Sequence, residues 1–184
     1  MLLSLIVENV SGMPYFTFID KYISEPLGLE NTWVFDLRNS HRNDTTKAIG
    51  YQENMKRRDD YYLFTTGDGG MYSTIEDLFV WDRALYSSEL VSPDILEEAY
   101  TPMVLTNGSS KNYGFGWWIG SNLNGKSVYH SGGLAGFRVY LERQVDVENV
   151  ILILNNNSSD YIDEMRNILV KILDGRPYDF PDSE

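Results

Sequence analysis

No cysteine occurs among the 184 residues. That absence excludes a disulfide scaffold, a cysteine-ligated zinc and a thiol nucleophile, and it leaves the compartment open. Long apolar runs are missing as well, and none approaches the roughly 20 residues that span a bilayer. The apolar start Leu2–Val7 has no basic lead-in and is interrupted by Glu8 and Asn9, so it does not read as a secretory signal. Positive charge is scarce: 15 Lys and Arg stand against 27 Asp and Glu, for a net charge of −12. Such a surface repels phosphate backbones, so nucleic acid is excluded as an expected partner. There are only two histidines, His41 and His130, far apart and with no third ligand marked by spacing, so no metal site is expected. Gly67–Gly70 lacks a Gly-Lys-Ser/Thr ending, and Asp68 would repel phosphate, which argues against a nucleotide loop. No cofactor is implied.

What remains is the composition of a folded chain. Apolar residues make up 42% and charged residues 23%, near the globular norm. The length fits one domain or part of one. Residues 2–10 read as a short apolar helix ended by Ser11-Gly12. Pro14 suits the first turn of a second helix, with Phe16, Ile19 and Ile23 on one face, stopped by Pro26 and Gly28. Residues 36–62 are polar and irregular, with a short strand expected near Ala48–Tyr51. Ser73-Thr74-Ile75-Glu76 has the spelling of a capping box, and Leu78, Trp81 and Leu85 follow at helical spacing. Ser92-Pro93 opens a further helix to about Tyr100.

The pattern then turns to strands. Tyr113–Gly120 and Lys126–His130 flank Asn124-Gly125, a hairpin signal. In Phe137–Gln144, Phe137, Val139 and Leu141 alternate with Arg138, Tyr140 and Glu142. Val150–Leu154 reads as a strand covered on both faces. Asp160–Leu173 reads as a helix with Tyr161, Met165, Ile168, Leu169 and Ile172 as its buried stripe. The layout is α+β: helices, an antiparallel three-strand meander, then a helix packed on the sheet. As domain organisation this gives a single partial domain over 1–184. Residues 1–110 are mainly helical or irregular, 111–175 hold the strands and last helix, and 176–184 form a tail.

His130-Ser131-Gly132-Gly133 is the segment best suited to chemistry. It stands at the end of a predicted strand, with a glycine-permissive bend after it. An imidazole, a hydroxyl and unshielded backbone amides meet there, which suits an anionic or carbonyl-bearing ligand. The same residues also fit a plain strand end with an ordinary hydrogen-bonded histidine. His41, Asp59-Asp60, Glu97-Glu98, Glu25 and Glu30 read as solvated polar positions. Trp117-Trp118 reads as one core ring and one exposed ring.

Six segments occur in an order that resembles the serine β-lactamase-like superfamily, on the side of class C β-lactamases, D-alanyl-D-alanine carboxypeptidases and related esterases. They are Leu5–Tyr15, Glu25–Thr32, Ala48–Tyr51, Gly69–Leu78, Tyr113–Trp117 and His130–Gly133 with Gly136-Phe137, within residues 5–157. The resemblance implies the C-terminal portion of the β-lactamase/transpeptidase-like fold, without its N-terminal strands and nucleophile helix. It implies acyl transfer by an attacking serine. Under it His130 takes a lysine-like position, Ser131 supplies a hydroxyl and Gly132 the close approach, so all three bind substrate. The Gly133 amide is then an oxyanion donor.

The family's Ser-x-x-Lys is missing. Three positions before Lys21, Lys47, Lys56, Lys111, Lys126 and Lys171 stand Phe18, Asp44, Glu53, Gly108, Leu123 and Ile168. No Tyr-x-Asn occurs, and Ser110-Lys111-Asn112 lies out of order. The expectation is therefore a truncated serine hydrolase of that family, inactive as this chain alone. Its parent reaction would be hydrolysis of a β-lactam, a D-Ala-D-Ala peptide or an ester. The alternative is a non-catalytic ligand-binding or assembly module on the same fold. Val150–Leu154 would then be an open sheet edge for a second copy or a complementing N-terminal chain, with Ile151 and Ile153 as the residues to charge. The resemblance also implies a periplasmic or otherwise extracytoplasmic location.

Overall fold

The computed structural model describes residues 2–36, 38, 47–58 and 66–180. Helix α1 spans Leu2–Ser11, and α2 spans Tyr15–Ile19 directly after Pro14. A π-helical stretch, Asp20–Ser24, leads into the single turn α3, Glu25–Leu27, which ends at Gly28. A two-residue ladder that the sequence did not announce follows: β1 (Trp33–Val34) pairs antiparallel with β2 (Met71–Tyr72). Helices α4 (Ile75–Ala84) and α5 (Pro93–Ala99) come next.

The main sheet is an antiparallel meander of four strands rather than three. Its strands are β3 (Trp118–Asn122), β4 (Gly125–Leu134), β5 (Phe137–Gln144) and β6 (Asn149–Asn155). Helix α6 (Ile162–Leu173) packs back on it. The mixed architecture is the expected α+β class. Around Ala48–Tyr51 there is no strand, only isolated bridges from Tyr51 to Arg57 and Asn157.

Three local readings change. The α4 cap is Thr74, whose hydroxyl oxygen accepts from the Asp77 amide at 3.2 Å. Ser73 instead shares a hydrogen bond with Thr32 Oγ1 at 2.7 Å. With Ser73 engaged by Thr32, the cap falls to Thr74, and the buried Asp77 carboxylate accepts from the Asn31 amide and the Thr32 hydroxyl, each at 2.8 Å. The anticipated stripe of α6 is only partly buried. Ile168 and Val170 are inside, whereas Tyr161, Met165 and Ile172 are exposed.

The third change concerns the sheet edge. Among the described residues no strand pairs with β6 on the side away from β5. Ile151 and Ile153, however, point under α6, where they cluster with Tyr140 and Val170. A charge at either would break the core rather than probe the edge. By alternation Leu152 and Leu154 occupy the opposite face, and Leu154 is exposed.

Burial elsewhere follows two clusters, one on each face of the sheet. Tyr140, Ile151, Ile153 and Val170 form the α6 side. Val128, Ala99 and Tyr100, with Trp117 packed against them, form the other. Helix α1 buries only Ser4 and leaves Leu2, Leu3, Leu5, Ile6 and Val10 exposed. Among the described residues no single helix is long and apolar enough to cross a membrane. α1 and Tyr15–Leu27 reach that length only together, across a 74° bend.

Candidate functional site

The strand carrying His130 continues further than its sequence suggests. β4 runs in register with β5 through Leu134, pairing His130 with Leu141, Ser131 with Tyr140, Gly132 with Val139 and Gly133 with Arg138. The bend therefore comes at Ala135-Gly136, not at the glycine pair. Both residues have positive φ, 48° and 85°, the conformation of a tight hairpin turn. A side chain at Gly136 would run into Tyr51 N at 2.6 Å, and one at Gly50 would run into Ala135 O at 2.0 Å. The Ala48–Tyr51 and Gly136-Phe137 segments thus belong together as one close backbone contact.

On its other side β4 is only half covered. The ladder with β3 ends at the Trp118–Tyr129 pair. From His130 to Leu134 the strand has, among the described residues, no backbone partner on that edge, and all five residues are exposed. Backbone groups alternate between the two edges of a strand, and the Leu134–Phe137 pair that closes the turn leaves the amides and carbonyls of Ser131 and Gly133 facing outward. By strand alternation, His130 and Gly132 lie on one face and Ser131 and Gly133 on the other. The imidazole and the Ser131 hydroxyl therefore do not share a face. What the four residues share is the open edge.

His130 is held at both ring nitrogens. Nδ1 lies 2.7 Å from the Ser131 carbonyl oxygen, and Nε2 lies 3.1 Å from the Tyr113 hydroxyl. Tyr113 sits edge-on to both the His130 ring and Trp118. Its placement comes from Gly114, where a side chain would strike Ala99 O at 2.0 Å. The partnership between Tyr113 and His130 was not legible in the sequence. Both residues lie in motifs that the sequence marks, but nothing local says that they touch.

Other singled-out residues take structural places. Gly69 lies against Leu134. Glu97 pairs with Lys126 at 2.9 Å. Glu25 and Glu30 are exposed. Trp117 stacks on Trp81 in the core, and Trp118 is largely exposed. His41 and Asp59-Asp60 lie outside the described residues. At the α1–α2 corner, Arg38 bonds Glu8 and Asp36 at 2.7 and 2.6 Å. Its guanidinium holds both carboxyls below their ordinary range. With its charge answered twice, Arg38 is not a free anion receptor. Among the described residues, no group of three or more His, Asp or Glu is placed to hold a metal ion.

The buried polar residues were missed from sequence. Arg143, almost fully buried, bonds through Nε and Nη2 to Asp82, which is fully buried, and through Nη1 to the Tyr100 hydroxyl. Burial pushes the Tyr100 phenol up. Glu142, fully buried on the other face, accepts from Tyr140 and Arg166, each at 2.9 Å. Burial first, and then the Glu142 charge, push Tyr140 well above the usual phenol range.

Comparison with known proteins finds relatives of this fold. A family model described as Beta-lactamase matches residues 1–171. A penicillin-binding protein of Bacillus subtilis is 33% identical over 197 aligned residues, covering 98% of this chain and 44% of that protein. A D-aminopeptidase of Gluconobacter oxydans is 21% identical, over 97% of this chain and 34% of its own length. Among solved structures, an octameric penicillin-binding protein homologue from Pyrococcus abyssi superposes with a TM-score of 0.77. It is 26% identical, covering 95% of this chain and 41% of that one. The chain spans less than half the length of these relatives.

Proposed function

Because the chain belongs to the Beta-lactamase family and has that family's hydrolase-like fold, we propose that His130, Ser131, Gly132 and Gly133 form one wall of an acyl-transfer cleft. The substrate is a β-lactam, a D-alanyl-D-alanine peptide or a small ester. The observation that carries this reading is the open edge of β4. A substrate's amide or ester carbonyl laid along it meets the outward Gly133 amide, with no side chain in the way at Gly132 or Gly133. The Gly133 amide is assigned to the developing oxyanion.

The 184 residues hold no Ser-x-x-Lys and no Tyr-x-Asn. Chemistry by the family's route therefore needs a nucleophile from residues outside this sequence. In this reading the 184 residues alone bind substrate without turning it over. Two measurements test it. Intact-mass spectrometry after incubation with a penicillin, and separately with a fluorophosphonate, is expected to show an unmodified chain. A single covalent adduct would overturn the absence of a nucleophile. Titration with D-alanyl-D-alanine is expected to shift the Ser131 and Gly133 amide resonances, and His130→Ala should weaken binding by about tenfold, or ~1.4 kcal/mol. Unmoved amides in the wild-type protein would sink the cleft wall.

A second reading, as an assembly module, is favoured by the side of β6 that no strand among the described residues covers. The octameric state named for the Pyrococcus homologue supports it.

A further inference from the structure

We propose that Tyr113 is the positioning residue for His130. The Ser131 carbonyl sets the imidazole as the Nδ1–H tautomer, and the Tyr113 hydroxyl holds the ring through Nε2 and puts the phenol oxygen forward as the atom a ligand meets. This inference rests on His130 being a cleft residue, and it deepens that reading. A carbonyl oxygen only accepts, so Nδ1, at 2.7 Å from the Ser131 carbonyl, must carry the hydrogen. Nε2 of the neutral ring is then a lone pair, and the Tyr113 hydroxyl at 3.1 Å donates to it.

The phenol is not free to leave. The Tyr113 backbone carbonyl accepts from the Met103 amide at 3.0 Å, and the residue bridges to Trp118 beside β3. Its ring packs edge-on against Trp118 with 4.9 Å between centroids, and edge-on against His130 at 5.9 Å. The ring of Tyr113 is therefore fixed from the β3 side, and His130 is fixed by Tyr113.

With the phenol hydrogen spent on Nε2, the phenol oxygen offers only lone pairs, which suit a ligand N–H or O–H. The partner of the substrate is thus Tyr113, held in place by its bond to His130.

Nitrogen-15 correlation spectra of the imidazole rings test the assignment. The sequence has two histidines, so His41→Ala leaves His130 as the single signal. At about pH 8.5, above the ordinary imidazole range, the wild-type ring is expected to show a protonated Nδ1 and an unprotonated Nε2. In Tyr113→Phe, which keeps the ring and deletes the hydroxyl, Nδ1–H is expected to persist on the Ser131 carbonyl, while the Nε2 resonance moves because it has lost its donor. A protonated Nε2 in the wild type, or an unchanged His130 signal in the variant, would overturn the proposal. If the variant does not fold, the wild-type tautomer alone still decides. An intact Nδ1–H tautomer with no response to D-alanyl-D-alanine would fault the cleft reading and leave the pair standing.

Discussion

Asp82 and Arg143 show why single residues matter here beyond the cleft. They sit in α4 and β5 and are both almost fully buried, so each offsets the buried charge of the other. Arg143 also lies over the Tyr86 ring at 4.4 Å. Arg83 adds a bond to the Asp82 carboxylate and another to the Glu148 carbonyl at 2.8 Å. Asp82→Ala strands a guanidinium in the core. It is expected to cost about 3–5 kcal/mol, read as a lower urea midpoint. Replacing both partners with apolar residues of similar volume, Asp82→Leu with Arg143→Met, is expected to recover most of that loss. Equal destabilisation in the single and double variants would show that the pair does more than cancel its own charges.

At the scale of the element, β5 is the instructive case. Its alternation separates two faces, yet the face of Arg138, Tyr140 and Glu142 carries two buried residues. Alternation says which residues share a face. It cannot say what will cover that face, and here α6 does. The Tyr140 hydroxyl donates to Glu142, which Arg166 of α6 also clasps. This makes the β5–α6 contact pH-dependent. The folded-state pKa of Tyr140 lies above its unfolded value, so this contribution to stability is full below about pH 10 and is lost as pH rises through the folded value. Tyr140→Phe is expected to be less stable by about 2 kcal/mol at neutral pH, for a lost bond to a charged group. The gap to wild type should close as pH climbs past about 10. Melting curves of both proteins across that range check the sign, and a gap that stays constant would count against it.

At the scale of the molecule, apolar surface and strand edge remain uncovered together. Helix α1 exposes most of its apolar residues, β6 has no strand partner on one side among the described residues, and Leu154 of β6 is exposed. Such an edge invites pairing between chains. The chain is expected to run larger than a monomer in light scattering, with Leu154→Lys lowering the association. A monomer at every concentration would argue against assembly through β6.

Much of this was legible locally. Turn and cap chemistry placed the ends of α3 and α5, alternation placed β5, and the order of six segments pointed to the family. Those signals lie within a few residues of one another, where backbone preference acts directly. The tertiary structure alone decided that Asp77 would tie α4 to Asn31-Thr32, and that Asp82 and Glu142 would be buried on opposite faces of the sheet. It also carried β4 past its glycines and brought Tyr113 to the ring of His130. Each of these depends on segments that meet only after the chain reverses. Their energies come from desolvation and partner geometry that no local pattern records.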